Sequence, residues 1–123
     1  MARLGKNVKI TAGRGRRGAL SELFREALEC EMASPVDDFD IYTFSDGAHV
    51  GIYFVADEEA LTEAQLYCAP WLEFIVADPV AAKAALSNQG VTSFSYERDP
   101  EHDYFRAPGG QVFRLAQTTD ENR

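Results

Sequence analysis

The sequence predicts an α+β fold in which a strand, a helix and three further strands follow one another twice along 123 residues. The most specific observation is a hairpin at 104–117, where Pro108-Gly109-Gly110 separates two runs of β-favouring residues. Proline fixes φ and glycine accepts positive φ, so these residue types predict a tight turn. The second observation is an alternating strand followed by a helix, which occurs near the N-terminus and again after about 60 residues.

The first repeat begins with a strand whose apolar residues alternate with polar ones and are expected on one face: Val8, Ile10 and Ala12. Apolar residues then recur from Leu20 to Leu28 at the spacing i, i+3, i+4, i+7 and i+8, which predicts a helix over 18–29. Three strands are predicted after this helix, the first of them short and weak: 31–34, 39–44 and 49–55. The residues Ser45-Asp46-Gly47 are typical of a hairpin turn between the last two strands.

The second repeat follows an acidic, polar segment at 57–70, which we interpret as a linker with one helical turn around 58–66. Its first strand again alternates, with three apolar residues on one face: Leu72, Phe74 and Val76. Asp78 is a typical N-cap and Pro79 a typical first helical residue, so a helix is predicted over 80–88. The remaining predicted elements are a strand at 91–96, a turn at 98–101, the hairpin, and a frayed tail at 118–123.

Composition limits the classes of function. Apolar residues make up 46% of the chain, enough for a packed core, and the net charge of −8 argues against a nucleic-acid-binding face. No run of about 18 apolar residues is present, so no membrane span is expected. The N-terminal residues lack the apolar core of a signal peptide, which favours a cytoplasmic protein. Cys30 and Cys68 are expected to be reduced and packed as small hydrophobic residues.

The segment Gly13–Gly18 reads GRGRRG and lies between the first predicted strand and the first helix. It satisfies the G-x-G-x-x-G pattern of dinucleotide-binding sites, but that reading requires a buried parallel βαβ unit. The first strand is half polar and three strands follow the helix without another helix between them, which favours a flexible glycine loop with solvated arginines. A third interpretation is that the arginines bind an anion at the start of the helix.

The segments WLEFIVADPVAAKAAL and YFRAPGGQVFRLA resemble the C-terminal half of the vicinal oxygen chelate superfamily, which contains glyoxalase I, bleomycin-resistance proteins and extradiol dioxygenases. The hallmark is an acidic or small residue, Pro, two turn residues, an amide residue and an alternating strand, here 107–115. The resemblance implies a single glyoxalase/bleomycin-resistance-like domain over 1–123, with βαβββ modules at 7–56 and 71–117 and a linker at 57–70. It also implies that two curled mixed sheets surround a cleft, with the helices outside.

Metal-dependent enzymes of this superfamily hold their metal with His or Gln on the first strand and Glu on the last strand of each module. The resemblance places these positions at Asn7, Gly51 or Tyr53, Trp71 and Arg114. Arginine is always protonated and offers no lone pair, tryptophan does not ligate metals, and asparagine is a weak ligand for hard cations. We therefore expect no metal and no other cofactor.

The cleft of the superfamily fold would be lined by the strand faces that point away from the helices. If Val8, Leu72 and Phe113 face the helices, alternation places the intervening residues in the cleft. The predicted ligand-binding cleft consists of seven such residues: Asn7, Lys9, His49, Tyr53, Trp71, Glu73 and Arg114. Two other interpretations remain open: the charged groups form an internal ion-pair network or a dimer surface, or a slip of one residue exchanges the faces.

These observations predict a small-molecule-binding protein of this superfamily that works without a metal, such as a resistance or sequestering protein. One alternative is an enzyme, namely a metal-dependent lyase, isomerase or dioxygenase of the same superfamily with an atypical site. Another is a non-catalytic protein whose cleft is closed by dimerisation. The expected partners are a small organic ligand and a second copy in a homodimer, with no nucleic acid and no membrane.

Overall fold

The computed structural model describes residues 1–118, so positions 119–123 of the expected frayed tail lie outside the described residues. The chain divides into two compact units, Met1–Ala60 and Leu61–Arg123. Each unit contains one four-stranded mixed sheet, and the two sheets have the same strand arrangement. The βαβββ order predicted from the sequence is therefore present twice.

The sheet of the first unit has four strands: β1 at Asn7–Gly13, β2 at Glu31–Val36, β3 at Phe39–Thr43 and β4 at His49–Val55. Their spatial order is β1-β4-β3-β2. Strands β1 and β4 are parallel, whereas β3 is antiparallel to both of its neighbours. The weak strand predicted at 31–34 is two residues longer than expected, and its pairing with β3 is irregular between Ala33 and Val36.

The helical segment of the first unit begins earlier than predicted and has three parts. A 3₁₀ turn at Arg14–Arg16 leads into helix α1 at Arg17–Glu22, which continues as a π-helical turn at Leu23–Ala27. The early start is stabilised by Asp57, whose carboxylate accepts a 2.8 Å hydrogen bond from the Gly15 backbone N–H. Sequence periodicity could not place this start, because the stabilising carboxylate lies 42 residues away.

The glycines of the GRGRRG segment leave room for the Asp57 carboxylate. A Cβ at Gly15 would lie 2.8 Å from a carboxylate oxygen of Asp57, and one at Gly13 would lie closer still. Arg14 forms a two-pronged ion pair with Asp38, with both N–O distances at 3.1 Å. The segment is therefore helical from Arg14 onward, and two of the arginines expected to be solvated, Arg14 and Arg17, bind carboxylates. The dinucleotide interpretation also lacks support, because the Gly15 N–H that a phosphate would need is bound to Asp57.

Asp40 is a buried carboxylate on the helix-covered face of this sheet, with only 1% of its surface exposed. Its oxygens accept hydrogen bonds from Arg17 at 2.6 and 3.0 Å, from Ser34 at 2.6 Å and from the Tyr42 hydroxyl at 3.4 Å. Burial raises the pKa of Asp40, but the hydrogen bonds from Arg17 and Ser34 outweigh it, so the pKa lies below its ordinary value. The folded unit therefore holds Asp40 as a charged carboxylate.

The helix covers this face with apolar side chains. Leu20, Leu23 and Phe24 are at most 2% exposed, and the ring of Phe24 stacks on Tyr42 of β3 with centroids 4.7 Å apart. The apolar stripe predicted for this helix is thus in the core, except for Leu28 at its end, which is partly exposed. Val8 of the edge strand β1 is 38% exposed, because an edge strand has a neighbour on one side only.

The second unit has four strands and two helices: α2 at Glu63–Tyr67, β5 at Leu72–Val76, α3 at Pro79–Asn88, β6 at Ser93–Phe94, β7 at Asp103–Arg106 and β8 at Val112–Gln117. The strand order is β5-β8-β7-β6, again with one parallel pair, β5 with β8. Asp78 caps α3 as predicted, through a 3.1 Å hydrogen bond from the Ala81 N–H. Thr62 and Gln65 form a capping box at the start of α2.

Two segments, one within the second unit and one leading into it, differ from the prediction. The strand expected at 91–96 is reduced to the two residues of β6, because the chain turns away where Asp99 forms contacts with the sheet. The segment expected to contain one helical turn carries both a 3₁₀ turn at Asp57–Glu59, in the first unit, and α2. Phe74 and Phe113 are in the core as expected, and Phe105 joins them; the ring centroid of Phe113 lies 5.1 Å from that of Phe74 and 5.3 Å from that of Phe105.

The two cysteines differ in environment, although both were expected to be packed. Cys30 is buried and burial raises the pKa of its thiol to about 12, whereas Cys68 is exposed, so the expectation is wrong for Cys68. Residue type alone favoured burial for both. In the described part of the chain, no helix has the length and apolar character required to cross a membrane.

We predict that Asp40→Asn destabilises the protein, because an amide nitrogen would meet N–H and O–H donors that now contact a carboxylate. The loss of charge-assisted hydrogen bonds is expected to cost about 2 kcal/mol of unfolding free energy at pH 7. Urea unfolding followed by circular dichroism measures this difference. The matched control is Asp37→Asn, an exposed carboxylate three residues earlier, which should change stability little. Equal stability of the two variants would contradict the structural role given to Asp40.

Candidate functional site

Four of the predicted cleft residues lie on one face of the first sheet. Parallel pairing sets Asn7 beside His49, Lys9 beside Gly51 and Thr11 beside Tyr53, so these residues share the face opposite α1. A cavity of about 430 Å³ opens on this face. Its lining residues are Asn7, Val8, Lys9, Phe39, Ile41, His49, Gly51 and Tyr53.

An aromatic pair forms much of the cavity surface. The rings of Phe39 and Tyr53 are stacked with centroids 4.1 Å apart, and their residues pair across β3 and β4. Gly51 makes this possible, because a Cβ at that position would approach the Phe39 ring to 3.0 Å. Lys9 Nζ lies 4.9 Å from the centroid of the Tyr53 ring, in a cation–π contact. The ammonium group is therefore held beside the aromatic pair.

The polar groups of the cavity have few partners within the protein. Across residues 1–118, neither the Lys9 ammonium nor the Asn7 side-chain amide has a hydrogen bond or ion pair with another residue. His49 Nδ1 lies 2.9 Å from Thr43 Oγ1, which leaves the second ring nitrogen for another contact. The lining contains no carboxylate, although the chain has 20 acidic residues. The cavity is thus mostly apolar, with unused donors.

The charged residues predicted for the second module instead bind one another. Glu73 and Arg114 are neighbours in the parallel β5–β8 pair, and Arg114 Nε lies 2.5 Å from Glu73 Oε2. Arg114 Nη1 also donates to Asp99 Oδ2 at 2.7 Å. The same Asp99 oxygen accepts from the Tyr104 hydroxyl at 2.6 Å, and His102 Nδ1 lies 3.0 Å from the Asp99 carboxylate. In this unit the charged residues therefore form an ion-pair network, which is one of the interpretations that the sequence left open.

Trp71 belongs to an aromatic cluster in the second unit. Its indole N–H donates to the Tyr67 carbonyl at 2.9 Å. Four rings surround the indole, with centroids between 4.9 and 6.3 Å away: Tyr67, Phe94, Tyr96 and Tyr104. Trp71 is half-buried in these contacts, so part of the surface expected to stack on a ligand is already covered by side chains.

Asp99 connects this network, and sequence reasoning did not identify it. Its turn, Arg98-Asp99-Pro100-Glu101, signals a change of chain direction and gives no sign of a long-range partner. The hydrogen bonds from Tyr104 and His102, together with Arg114, lower the pKa of Asp99 to about 2. Burial and the Asp99 carboxylate raise the pKa of Tyr104. Asp99 therefore stays ionised and Tyr104 stays protonated across the neutral range.

Comparisons with known proteins identify the fold. No family model and no curated protein matches the chain. A structure described as a possible glyoxalase from Bacillus cereus is 14% identical with a TM-score of 0.66, and the match covers 93% of this chain and 98% of that one. A glyoxalase/bleomycin resistance protein from Catenulispora acidiphila is 18% identical with a TM-score of 0.62, covering 94% and 99%. The chain has the fold of the vicinal oxygen chelate superfamily.

A third structure with this fold contains a metal. It is a variant of the fosfomycin resistance protein FosX from Listeria monocytogenes in complex with Mn(II) and a dihydroxypropylphosphonic acid, 10% identical with a TM-score of 0.68, covering 94% of this chain and 90% of that one. The predicted fold class and the resemblance on which it rested are thereby confirmed at the level of the fold. Activity and ligand cannot be transferred at this identity, because function depends on the site.

The residues present do not fit the metal site of the vicinal oxygen chelate enzymes. Arg114, which occupies a ligand position implied by the resemblance, carries a permanent positive charge that Glu73 and Asp99 neutralise. Trp71 uses its N–H within the aromatic cluster. Within residues 1–118, no three or more His, Cys, Asp or Glu side chains are grouped so that they could hold a metal ion.

We predict that Asp99→Asn lowers the stability of the protein at pH 7, because Arg114 and His102 lose a shared anion. The pKa of Asp99 is lower in the folded protein than its ordinary value of 3.8. The ionised carboxylate therefore contributes its full share of the free energy of unfolding when the pH is above 3.8. As the pH falls from about 4 to about 2, the wild type should lose this contribution and approach the variant. Thermal unfolding followed by the fluorescence of Trp71, the only tryptophan, measures both effects.

Glu101→Gln is the matched control, since it removes an exposed carboxylate from the same turn. Its stability should follow that of the wild type across this pH range. A constant difference between wild type and Asp99→Asn from pH 7 to pH 2 would show that the ionised carboxylate is not the source of the effect.

Proposed function

We propose that this protein binds a small organic molecule, without a metal ion, in the cavity on the open face of the first sheet. The observation that carries the proposal is the cavity of about 430 Å³ lined by Asn7, Lys9, His49 and Tyr53. Known small-molecule sites have volumes of about 300 to 1,000 Å³, with mostly apolar walls and a few polar groups. This cavity has that composition.

The contrast between the two units supports the proposal. In the second unit, Arg114 and Glu73 form an ion pair. A ligand that bound either charge would have to compete with this pair, so the gain in binding energy would be small. In the first unit, Lys9 and Asn7 offer donors that no residue within 1–118 uses. Donors that form no hydrogen bond or ion pair within these residues can bind a ligand without the loss of such a bond.

The second unit also contains three of the residues predicted to bind a ligand. Trp71, Glu73 and Arg114 form an aromatic and charged surface whose groups are held in place by their own contacts. Taken by itself, this surface is expected to bind a small molecule more weakly than the cavity of the first sheet does, because its charges are already paired. A homodimer remains our expectation for the assembly, and light scattering at several protein concentrations measures it.

Metal-independent binding is favoured over the alternative of a metal-dependent lyase, isomerase or dioxygenase by the chemistry of the side chains. The four implied ligand positions carry an amide, a glycine or a phenol, an indole and a paired guanidinium. None of these supplies the imidazole or carboxylate donors that catalytic divalent metals require. Binding to this cavity should therefore be the same with a chelator as with added divalent metal.

We predict that Asn7→Trp prevents small-molecule binding, because an indole at this exposed cavity position would fill space that a ligand needs. The measurement is a screen of soluble organic fragments by saturation-transfer NMR, followed by titration of each fragment that binds the wild type. Affinity should fall by about tenfold or more, the effect of losing about 1.4 kcal/mol of contacts. The titrations are repeated with a chelator and with added Mn²⁺ or Zn²⁺.

Glu26→Trp is the control, since it adds the same indole to an exposed position on the helix side of the first unit. It should bind the fragments as the wild type does. The proposed site would be wrong if both variants bound every fragment equally well. The metal-independent part would be wrong if binding occurred only with added metal.

A further inference from the structure

The charge of the cavity differs in sign from the charge of the protein. The chain carries a net charge of −8, yet the cavity lining includes one lysine, one histidine and no carboxylate. Three of the six other cations of the same unit have acidic partners: Lys6 with Asp46, Arg14 with Asp38 and Arg17 with Asp40. The ammonium group of Lys9 has no such partner within residues 1–118.

Lys9 is also held in a position suited to an anion. Its Nζ atom lies 4.9 Å from the Tyr53 ring centroid, and that ring is fixed by stacking on Phe39 at 4.1 Å. A contact with a π face keeps the ammonium beside the cavity without an oxygen acceptor for its three N–H groups. Asn7 on the same strand adds amide donors to the same lining.

The rest of the lining is apolar, so the ligand needs an apolar part as well as a charged group. Phe39 and Ile41 line the cavity together with the Tyr53 ring. Apolar groups gain free energy by removing such surfaces from water, in proportion to the area buried. A hydrated inorganic anion would leave this wall in contact with water, whereas an organic anion with a flat apolar body would cover it.

A cationic ligand is disfavoured by the same lining. The net negative charge of the protein would attract cations from a distance, but this long-range field is weakened by salt. At contact distance a cation would meet the exposed ammonium group of Lys9, and like charges repel each other most at short distance. The local charges therefore determine the sign of the ligand.

We infer that the ligand of this cavity is an amphiphilic organic anion, whose carboxylate, phosphate or phosphonate group binds Lys9 and Asn7 and whose apolar body lies on the Phe39–Tyr53 pair. This inference rests on the proposed function, since it names the chemical class of the molecule that the same cavity binds. Lys9 is then the residue that determines specificity for charge, and the aromatic pair determines specificity for shape.

The test uses three probes that share one apolar body and differ in charge. They are 3-phenylpropanoate, its neutral amide 3-phenylpropanamide, and the cation 3-phenylpropylammonium; inorganic phosphate serves as an anion without an apolar body. Each is titrated by NMR against the wild type, Lys9→Met and Lys6→Met. Methionine keeps much of the apolar stem of lysine and removes its charge. Lys6 is the matched control, because its ammonium pairs with Asp46 and is not part of the lining.

The wild type should bind 3-phenylpropanoate about tenfold more tightly than the amide and the cation, as expected for one charge-assisted hydrogen bond. Inorganic phosphate should bind more weakly than 3-phenylpropanoate. Lys9→Met should remove the preference for the anion, while Lys6→Met should retain it. Equal or tighter binding of the amide or the cation would overturn the inference, and so would binding of none of the three probes.

Asn7→Trp separates this inference from the proposed function. If the amide or the cation binds best and Asn7→Trp prevents that binding, the cavity is a ligand site but its ligand is not an anion. If 3-phenylpropanoate binds the wild type and Asn7→Trp equally well, the binding occurs elsewhere and both the proposed site and the inference fail. Loss of 3-phenylpropanoate binding in Asn7→Trp and in Lys9→Met, with retention in Lys6→Met, supports both.

Discussion

The pleat of the β-sheet is the constraint on which the rest of this structure depends. Successive side chains of a strand point to opposite faces, so covering one face with a helix determines which residues the other face presents. In the first unit, Phe24 stacks on Tyr42 and fixes the helix-covered face. Asn7, Lys9 and Tyr53 then have to lie on the open face with the cavity. The packing of the helix on one face thus determines which residues lie in the core and which lie at the candidate site.

The same constraint produces opposite electrostatic results in the two units. In the second unit, parallel register sets Glu73 beside Arg114, and the turn containing Asp99 supplies a second carboxylate. Charges that satisfy one another contribute to structure and leave little attraction for a ligand. In the first unit, register sets Lys9 beside Gly51, which carries no charge and gives room to the Phe39 ring. An ammonium group and an aromatic wall are left together there.

The GRGRRG segment illustrates how a short motif acquires its meaning from distant residues. Its spacing matches a phosphate-binding loop, but the Gly15 N–H binds the carboxylate of Asp57 and Arg17 binds Asp40. Side-chain carboxylates thus occupy the positions where an external anion would bind. The carboxylates come from two different parts of the chain, which a local pattern does not reveal.

The sequence by itself determined the element order, the strand faces and the fold, because hydrophobic periodicity and turn chemistry are local properties. It therefore also placed Asn7, Lys9 and His49 on a common face. Only the tertiary structure decided the partners of the charged groups: Asp57 at the helix start, Asp40 with Arg17, and Asp99 with Arg114. Such pairs join residues 15 to 42 positions apart. Their energy depends on distance and burial in three dimensions, which no periodicity along the chain records.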